Sequence, residues 1–384
     1  MLLFLKDVLV LSLSAFGGPQ AHIGMLFQKM VQERRYVTEE ELVELNSLCQ
    51  ILPGPTSTQT VVALGFKLGG VRWAYFTLLV WCMPAVLLML LGALLINFYP
   101  KSQLGFTKFL TPVAIGCMAY AGYNIINKVI TSIKGIFLMV LSAIIAFIFK
   151  SPWLFPFMLI TGGIVTGMNY EHLPKVKEKK PLKIRWGNFI LWIVIYMVAA
   201  FLSSFTNYLP VKIFQSFYRN GSLIFGGGQV LIPMLYTEFV QFKEYLTPLE
   251  FNIGYAMVHL VPGPVFSISA YLGALSAQKF GIIYQILCGL SASVGIFLPG
   301  TFLMFFLIRF WEQLKQYRAV KASLEGLNAI NAGLLIAAVL GMITETPQNW
   351  LTILLTVSSF ALLQFAKIPM PYIVIGSLVM GFIV

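Results

Sequence analysis

Phe16-Gly17-Gly18-Pro19-Gln20 and Pro53-Gly54-Pro55 decide how this chain is read. Both return 209 residues later, as Phe225-Gly226-Gly227-Gly228-Gln229 and Pro262-Gly263-Pro264. Between them, Tyr36-Val37-Thr38 with Glu41 returns at the same shift as Tyr245-Leu246-Thr247 with Glu250. Three ungapped coincidences built on Gly and Pro mark an internal duplication, with helix-breaking residues at matching places in each half. Paired interruptions of this kind point to a transporter whose binding site lies where the two halves meet.

Composition sets the class. Of 384 residues, 58% are hydrophobic and only 10% are charged, outside the range of soluble domains. Charge is absent from Trp73 to Pro100, Ile136 to Phe149, Ser151 to Asn169 and Phe189 to Val211. Apart from the Pro156 break in the third, each is long enough, or nearly so, to cross about 30 Å of hydrocarbon as a helix. The expected fold is therefore an all-α integral membrane protein. The apolar N-terminal segment is not followed by a small-residue cleavage site, so it reads as retained.

The net charge of +12 argues for topology rather than for nucleic acid. Six basic residues, Lys175, Lys177, Lys179, Lys180, Lys183 and Arg185, crowd one polar linker, and a basic loop marks the cytoplasmic face and can touch anionic lipid. The linker, residues 170–187, separates a first repeat at 1–169 from a second at 188–384, whose motif-bearing part starts near 211. Cys49, Cys82, Cys117 and Cys288 lie scattered in apolar segments without metal-ligand spacing; small hydrophobes are expected there, with neither metal nor disulfide.

The segments beside the Gly-Gly-Pro and Pro-Gly-Pro motifs are too short to span alone, since about 20 residues are needed. They are broken helices or re-entrant hairpins, and hairpins keep Arg34, Arg35, Lys67 and Arg72 on the side of the basic linker. Either way an odd number of crossings precedes the second repeat. The expectation is two inverted-topology repeats with a cytoplasmic N-terminus.

Non-helical backbone is tolerated at membrane depth only where it lines a cavity. A proline at a helix start is pre-set for the turn, so Pro19, Pro55 and Pro264 mark helix starts at the breaks. Each start presents free N–H groups and roughly half a positive charge. Thr56, Ser57 and Thr58 follow Pro55, and Ser267 and Ser269 follow Pro264. Gln20 and Gln229 add amides, while Gln50 and His259 stand three residues before each Pro-Gly-Pro. Many donors without carboxylates suit a tetrahedral oxyanion, and no cofactor is called for. Lesser candidates read as structural: Lys67 and Lys279 as helix ends, His22 as a hydrogen-bonded interior histidine, Glu41 and Glu250 as solvated or capping residues, and Asp7, the only aspartate, near the interface.

The paired FGGPQ/FGGGQ and PGP/PGP motifs, with Met83-Pro84-Ala85 against Leu298-Pro299-Gly300, resemble the long-chain, two-domain chromate ion transporters. The resemblance covers nearly the whole chain. It implies a multi-pass protein of the bacterial cytoplasmic membrane that exports chromate. It carries the motif roles onto Gly17, Gly18, Pro19, Gln20, Pro53, Gly54 and Pro55, and onto Gly226, Gly227, Gln229, Pro262, Gly263 and Pro264. Gly228 departs from it, standing where the first half has Pro19. Sulfate or another small anion is the alternative substrate; a homodimer is left open. A membrane-embedded hydrolase is disfavoured, because there is no His-Glu-x-x-His, only one aspartate and no G-x-S-x-G around Ser57 or Ser267. A lipid flippase is the third class, and an ATP-driven pump lacks its phosphate-binding loop.

Overall fold

Thr38 and Glu41 show how local sequence starts a helix here. The Thr38 hydroxyl accepts the Glu41 N–H while the Glu41 carboxylate accepts the Thr38 N–H, a reciprocal cap that satisfies two orphan donors. Thr247 and Glu250 make the same pair of bonds, at 3.3 and 2.8 Å. Both glutamates are capping residues, as their position at the start of amphipathic segments suggested.

The computed structural model describes residues 1–16, 18–96, 107–129, 132–149, 151, 154–168, 186–225, 228–309, 311, 318–347 and 349–383. The linker from Lys175 to Arg185 lies outside them. The described residues are helical throughout, without strands. In chain order the helices are α1 (Leu2–Ser14), α2 (Gly18–Leu26, running into a π-helical turn Phe27–Glu33), α3 (Glu39–Ile51), α4 (Thr56–Ile96), α5 (Leu110–Val129), α6 (Ile133–Phe149), α7 (Leu154–Gly167) and α8 (Gly187–Phe205). There follow α9 (Leu209–Leu223), α10 (Gly228–Tyr236, with a π-helical turn Thr237–Phe242), α11 (Pro248–Leu260) and α12 (Ile268–Ser276, entered through the 3₁₀ turn Val265–Ser267). The last four are α13 (Ile282–Leu307), α14 (Arg318–Glu345), α15 (Trp350–Gln364) and α16 (Met370–Ile383).

All four motif breaks interrupt helices, between Ser14 and Gly18, Ile51 and Thr56, Leu223 and Gly228, and Leu260 and Val265. Other backbone irregularities recur with them: Arg35 and Glu244, 209 apart, have φ of +51° and +52°, and Gly54 and Gly263 have +114° and +120°.

The chain divides into two units. The first comprises residues 1–100, 185–228 and 254–309; the second comprises 101–184, 229–253 and 310–384.

The first unit is built from helices that double back. Gly70, at φ +78° and ψ −168°, splits α4 into two arms. Along a straight helix Gly65 and Thr77 would stand about 18 Å apart, yet a Cβ on Gly65 would lie 2.9 Å from Thr77 Cβ. Gly281 (φ +89°) does the same between α12 and α13, where a Cβ on Gly273 would lie 2.6 Å from Ala292 Cβ. The Pro-Gly-Pro loops are also hairpin apices. Around Pro53-Gly54-Pro55, Thr60 Oγ1 donates to Asn46 Oδ1 at 3.4 Å and Lys67 pairs with Glu41. Around Pro262-Gly263-Pro264, the Tyr271 ring covers Gly254. Near the first Gly-Gly-Pro, α1 and α2 close the same way: Arg34 holds Asp7 through Nε at 2.9 Å and a second nitrogen at 3.1 Å, Tyr36 donates to Asp7 at 2.8 Å, and the Phe4 and Tyr36 rings stand edge to face at 5.5 Å. Charged pairs thus close the bases of two of these hairpins, Asp7 with Arg34 and Glu41 with Lys67.

In the second unit α14 packs against α6 and α7, and α15 against α5. Small residues allow close approach: a Cβ on Gly326 would strike the Gly162 carbonyl, and one on Gly116 the Ser359 hydroxyl. Thr166 Oγ1 accepts Gly326 N–H at 3.1 Å, and Thr356 Oγ1 donates to the Pro112 carbonyl at 3.1 Å. Glu345 accepts Tyr236 at 2.5 Å and Gln241 at 2.8 Å.

Helices α4, α8, α13 and residues Glu325–Glu345 of α14 are long and apolar enough to cross a bilayer; the Val71–Ile96 arm of α4 alone measures about 39 Å. Helix α8 buries only Ala199 and exposes Ile190, Val194, Met197, Val198 and Phe201, a surface that suits lipid rather than water. The protein is a multi-pass α-helical membrane protein. All four cysteines are buried and free.

Candidate functional site

Two backbone bonds organise the site, and both lie in the first unit. Gly54 N–H donates to the Ile224 carbonyl at 2.7 Å, and Gly263 N–H donates to the Ala15 carbonyl at 2.8 Å. Donors and acceptors are each 209 residues apart, so one bond is made twice. Each Pro-Gly-Pro loop is tied to the residue that opens the Gly-rich break of the other half. Their positive φ is open to glycine at little cost and turns the N–H out of the loop. Space demands glycine too: a Cβ on Gly54 would lie 3.0 Å from Gln59 Nε2 and 3.4 Å from Gly300 Cα, and one on Gly263 would lie 2.7 Å from Ala85 Cβ. Gly300 and Ala85 follow Pro299 and Pro84, so this contact is reciprocal as well.

The first turn of α4 carries Thr56, Ser57 and Thr58. Pro55 precedes its first residue, and the Pro55 carbonyl takes the Gln59 N–H at 2.9 Å; the N–H groups of Thr56, Ser57 and Thr58 have no acceptor within the helix. Thr56 is half-buried, while Ser57, Thr58 and Gln59 are buried. Trp81 Nε1 donates to Thr58 Oγ1 at 3.2 Å, which leaves the Thr58 proton to give. Ser57 is different. His22 Nε2 stands 3.1 Å from the Ala15 carbonyl and Nδ1 stands 3.1 Å from Ser57 Oγ. A carbonyl only accepts, so in the neutral ring Nε2 carries the proton and Ser57 donates to Nδ1. Ser57 therefore offers lone pairs to the site. His22, edge-on to Trp81 at 5.5 Å, is the hydrogen-bonded interior histidine that the sequence suggested.

The second half presents a different set. Pro264 caps the 3₁₀ turn Val265–Ser267, so Ser267 precedes α12 instead of standing in its first turn; a tight 3₁₀ entry of this kind is common at helix starts. Ser267 and Ser269 are buried, and neither hydroxyl has a partner. His259 stacks edge-on against Tyr255 at 4.8 Å, and its Nε2 is buried without a partner. Pro262 is half-buried in the loop.

Gly17, Gly226 and Gly227 lie outside the described residues. Of Gly18, Pro19, Gln20, Gly228 and Gln229 the backbone alone is described, in the opening turns of α2 and α10. Gln50 is exposed, as is Lys279, and Lys67 is engaged by Glu41. Sequence reasoning passed over Gln59, whose Nε2 donates to the Pro53 carbonyl at 2.7 Å. Its repeat-equivalent, Ile268, is apolar, and that mismatch within a duplicated motif was the available signal.

The arrangement offers hydrogen-bonding groups and helix ends, without a lysine, arginine or carboxylate in the motif residues themselves. Several known proteins resemble the chain in sequence. An uncharacterised transporter of Methanocaldococcus jannaschii is 25% identical over 98% of this chain and 92% of its own length. A chromate transport protein of Cupriavidus metallidurans is 24% identical over 96% of this chain and 89% of its own. A probable chromate transport protein of Synechococcus elongatus is 23% identical over 96% and 91%. No solved structure matches the chain. The chromate transporter family model matches residues 2–168 and again residues 211–382, and the chain belongs to the chromate transporter family.

Proposed function

We propose that the protein is a secondary transporter that carries chromate out of the cell by alternating access around the Pro-Gly-Pro apices. The observation that carries this reading is the reciprocal pair of bonds, Gly54 to Ile224 and Gly263 to Ala15. It supports two repeats, 1–169 and 188–384, related by an inverted two-fold, with breaks that meet at one centre. Helix α3 and the first arm of α4 are each about 20 Å long, so hairpins entering from a charged base reach the middle of a 30 Å hydrocarbon layer. The bases, with Arg34 and Lys67, belong on the cytoplasmic side, together with the N-terminus.

Substrate contact is assigned to the motif residues of the two repeats, Gly17, Gly18, Pro19, Gln20, Pro53, Gly54, Pro55, Thr56, Ser57 and Thr58 in the first and Gly226, Gly227, Gly228, Gln229, His259, Pro262, Gly263, Pro264 and Ser267 in the second. Helix starts contribute roughly half a positive charge each, which attracts an oxyanion without burying a cation. Efflux needs no coupling residue in this scheme. An oxyanion leaving a negative interior gains about 2.3 kcal/mol per charge at 100 mV.

The test is labelled chromate uptake into inside-out vesicles at zero and imposed potential. Uptake that rises with an inside-positive potential is expected. Absence of uptake by folded protein refutes the reading.

A further inference from the structure

We propose that Gln59 makes the site select an oxyanion that carries a proton, hydrogen chromate, over one that carries none, such as sulfate. The inference rests on the transport reading above and adds the protonation state of the cargo.

Gln59 is 2% exposed, and its amide is oriented by the 2.7 Å bond from Nε2 to the Pro53 carbonyl. The other end, Oε1, is therefore an acceptor, and it is buried without a donor. A buried acceptor left unsatisfied is destabilising, and a fold that merely needed bulk would not keep one here. The second half demonstrates this. At the repeat-equivalent position Ile268 is fully buried, while Gly263 keeps the same φ and the same bond to the opposite break. The second crossing is thus built without an amide, and in the first the bond from Nε2 to Pro53 leaves Oε1 with no structural partner.

Gln59 follows the open first turn of α4, and its bond to the Pro53 carbonyl folds the side chain back along that turn. The Thr56, Ser57 and Thr58 N–H groups and the Thr58 hydroxyl are donors, while Gln59 Oε1 and the lone pairs of Ser57 are acceptors. A fully deprotonated oxyanion has only acceptor oxygens and sets a lone pair against Oε1. A hydrogen oxyanion meets the donors with its bare oxygens and gives its O–H to the amide. Hydrogen chromate holds its proton up to near neutrality, whereas hydrogen sulfate keeps its proton only in strong acid. At neutral pH chromate alone of the two supplies the missing donor.

The experiment is labelled chromate uptake at one neutral pH into vesicles holding the full chain, with unlabelled sulfate or arsenate as competitor. Arsenate at neutral pH is present as hydrogen and dihydrogen arsenate, both of which carry an O–H, whereas sulfate carries none. In the natural protein arsenate is expected to compete about tenfold better than sulfate, the scale of one hydrogen bond to a charged group. Gln59→Met, similar in length and without an amide oxygen, is expected to bring that ratio close to one by weakening arsenate. Equal competition in the natural protein overturns the inference and leaves chromate transport standing; so does a Gln59→Met variant that transports and keeps the ratio. If the variant does not fold, the ratio in the natural protein decides alone. A natural protein that takes up no chromate overturns the transport reading, and this inference with it.

Discussion

Alanine at the two apex glycines gives a prediction with its own control. Gly54, Gly263, Gly70 and Gly281 all adopt positive φ, from +78° to +120°, so any side chain there meets backbone strain of about 1–3 kcal/mol. Around Gly70 and Gly281 a new Cβ meets nothing within 4 Å, and strain is the whole effect. At Gly54 the Cβ would sit 3.0 Å from Gln59 Nε2 and 3.4 Å from Gly300 Cα, and at Gly263 it would sit 2.7 Å from Ala85 Cβ. The apices of the Pro-Gly-Pro hairpins must then shift, adding about 1–3 kcal/mol of overpacking and loosening the bond to the opposite break. Gly54→Ala and Gly263→Ala are expected to lose about 2–6 kcal/mol and most transport, against about 1–3 kcal/mol and little transport for Gly70→Ala and Gly281→Ala. The four cysteines are all buried and free, so a thiol-reactive fluorophore reports thermal unfolding in detergent, and vesicle uptake reports transport. The reasoning fails if the apex variants melt and transport like the two controls.

Three further perturbations follow from single contacts. His22→Leu, which copies Leu231 of the second half, leaves the Ser57 hydroxyl and the Ala15 carbonyl each one bond short; a loss of about 1–3 kcal/mol is expected in the thiol-dye melt, partly restored by Gln at that position. Asp7→Asn removes the carboxylate that Arg34 grips through two nitrogens, and since the Asp7 side chain is 5% exposed and that of Arg34 38%, about 1–2 kcal/mol should be lost; a melt unchanged from the natural protein would contradict this. The hydrogen bond from Lys67, aided by the Thr38 N–H, holds the Glu41 carboxyl below the usual carboxylate range. Its contribution is therefore complete above the unfolded-state pKa and is lost as pH falls through the lowered folded-state value. Glu41→Gln should flatten the acid side of the stability profile measured between neutral pH and pH 3, and a profile that keeps its full slope would count against the pair.

Gly and Pro act on the backbone locally, so the sequence by itself determined where the helices stop. The breaks after Ser14, Ile51, Leu223 and Leu260, and the caps at Thr38 and Thr247, follow from residues within a few positions of each. The apolar runs determined the membrane class, and the charges of Arg34 and Lys67 favoured hairpins, which the contacts of Asp7 with Arg34 and of Glu41 with Lys67 describe. Only the tertiary structure decided which loop meets which break. Gly54 finds Ile224 and Gly263 finds Ala15 across more than 160 residues, a choice made by packing rather than by any local preference. The same packing commits the Ser57 proton to His22, which reaches it from another helix, and leaves Ser57 only lone pairs to offer the site. It also left Gln59 with one oxygen unsatisfied, because hydrogen-bond supply at a buried atom depends on everything that surrounds it.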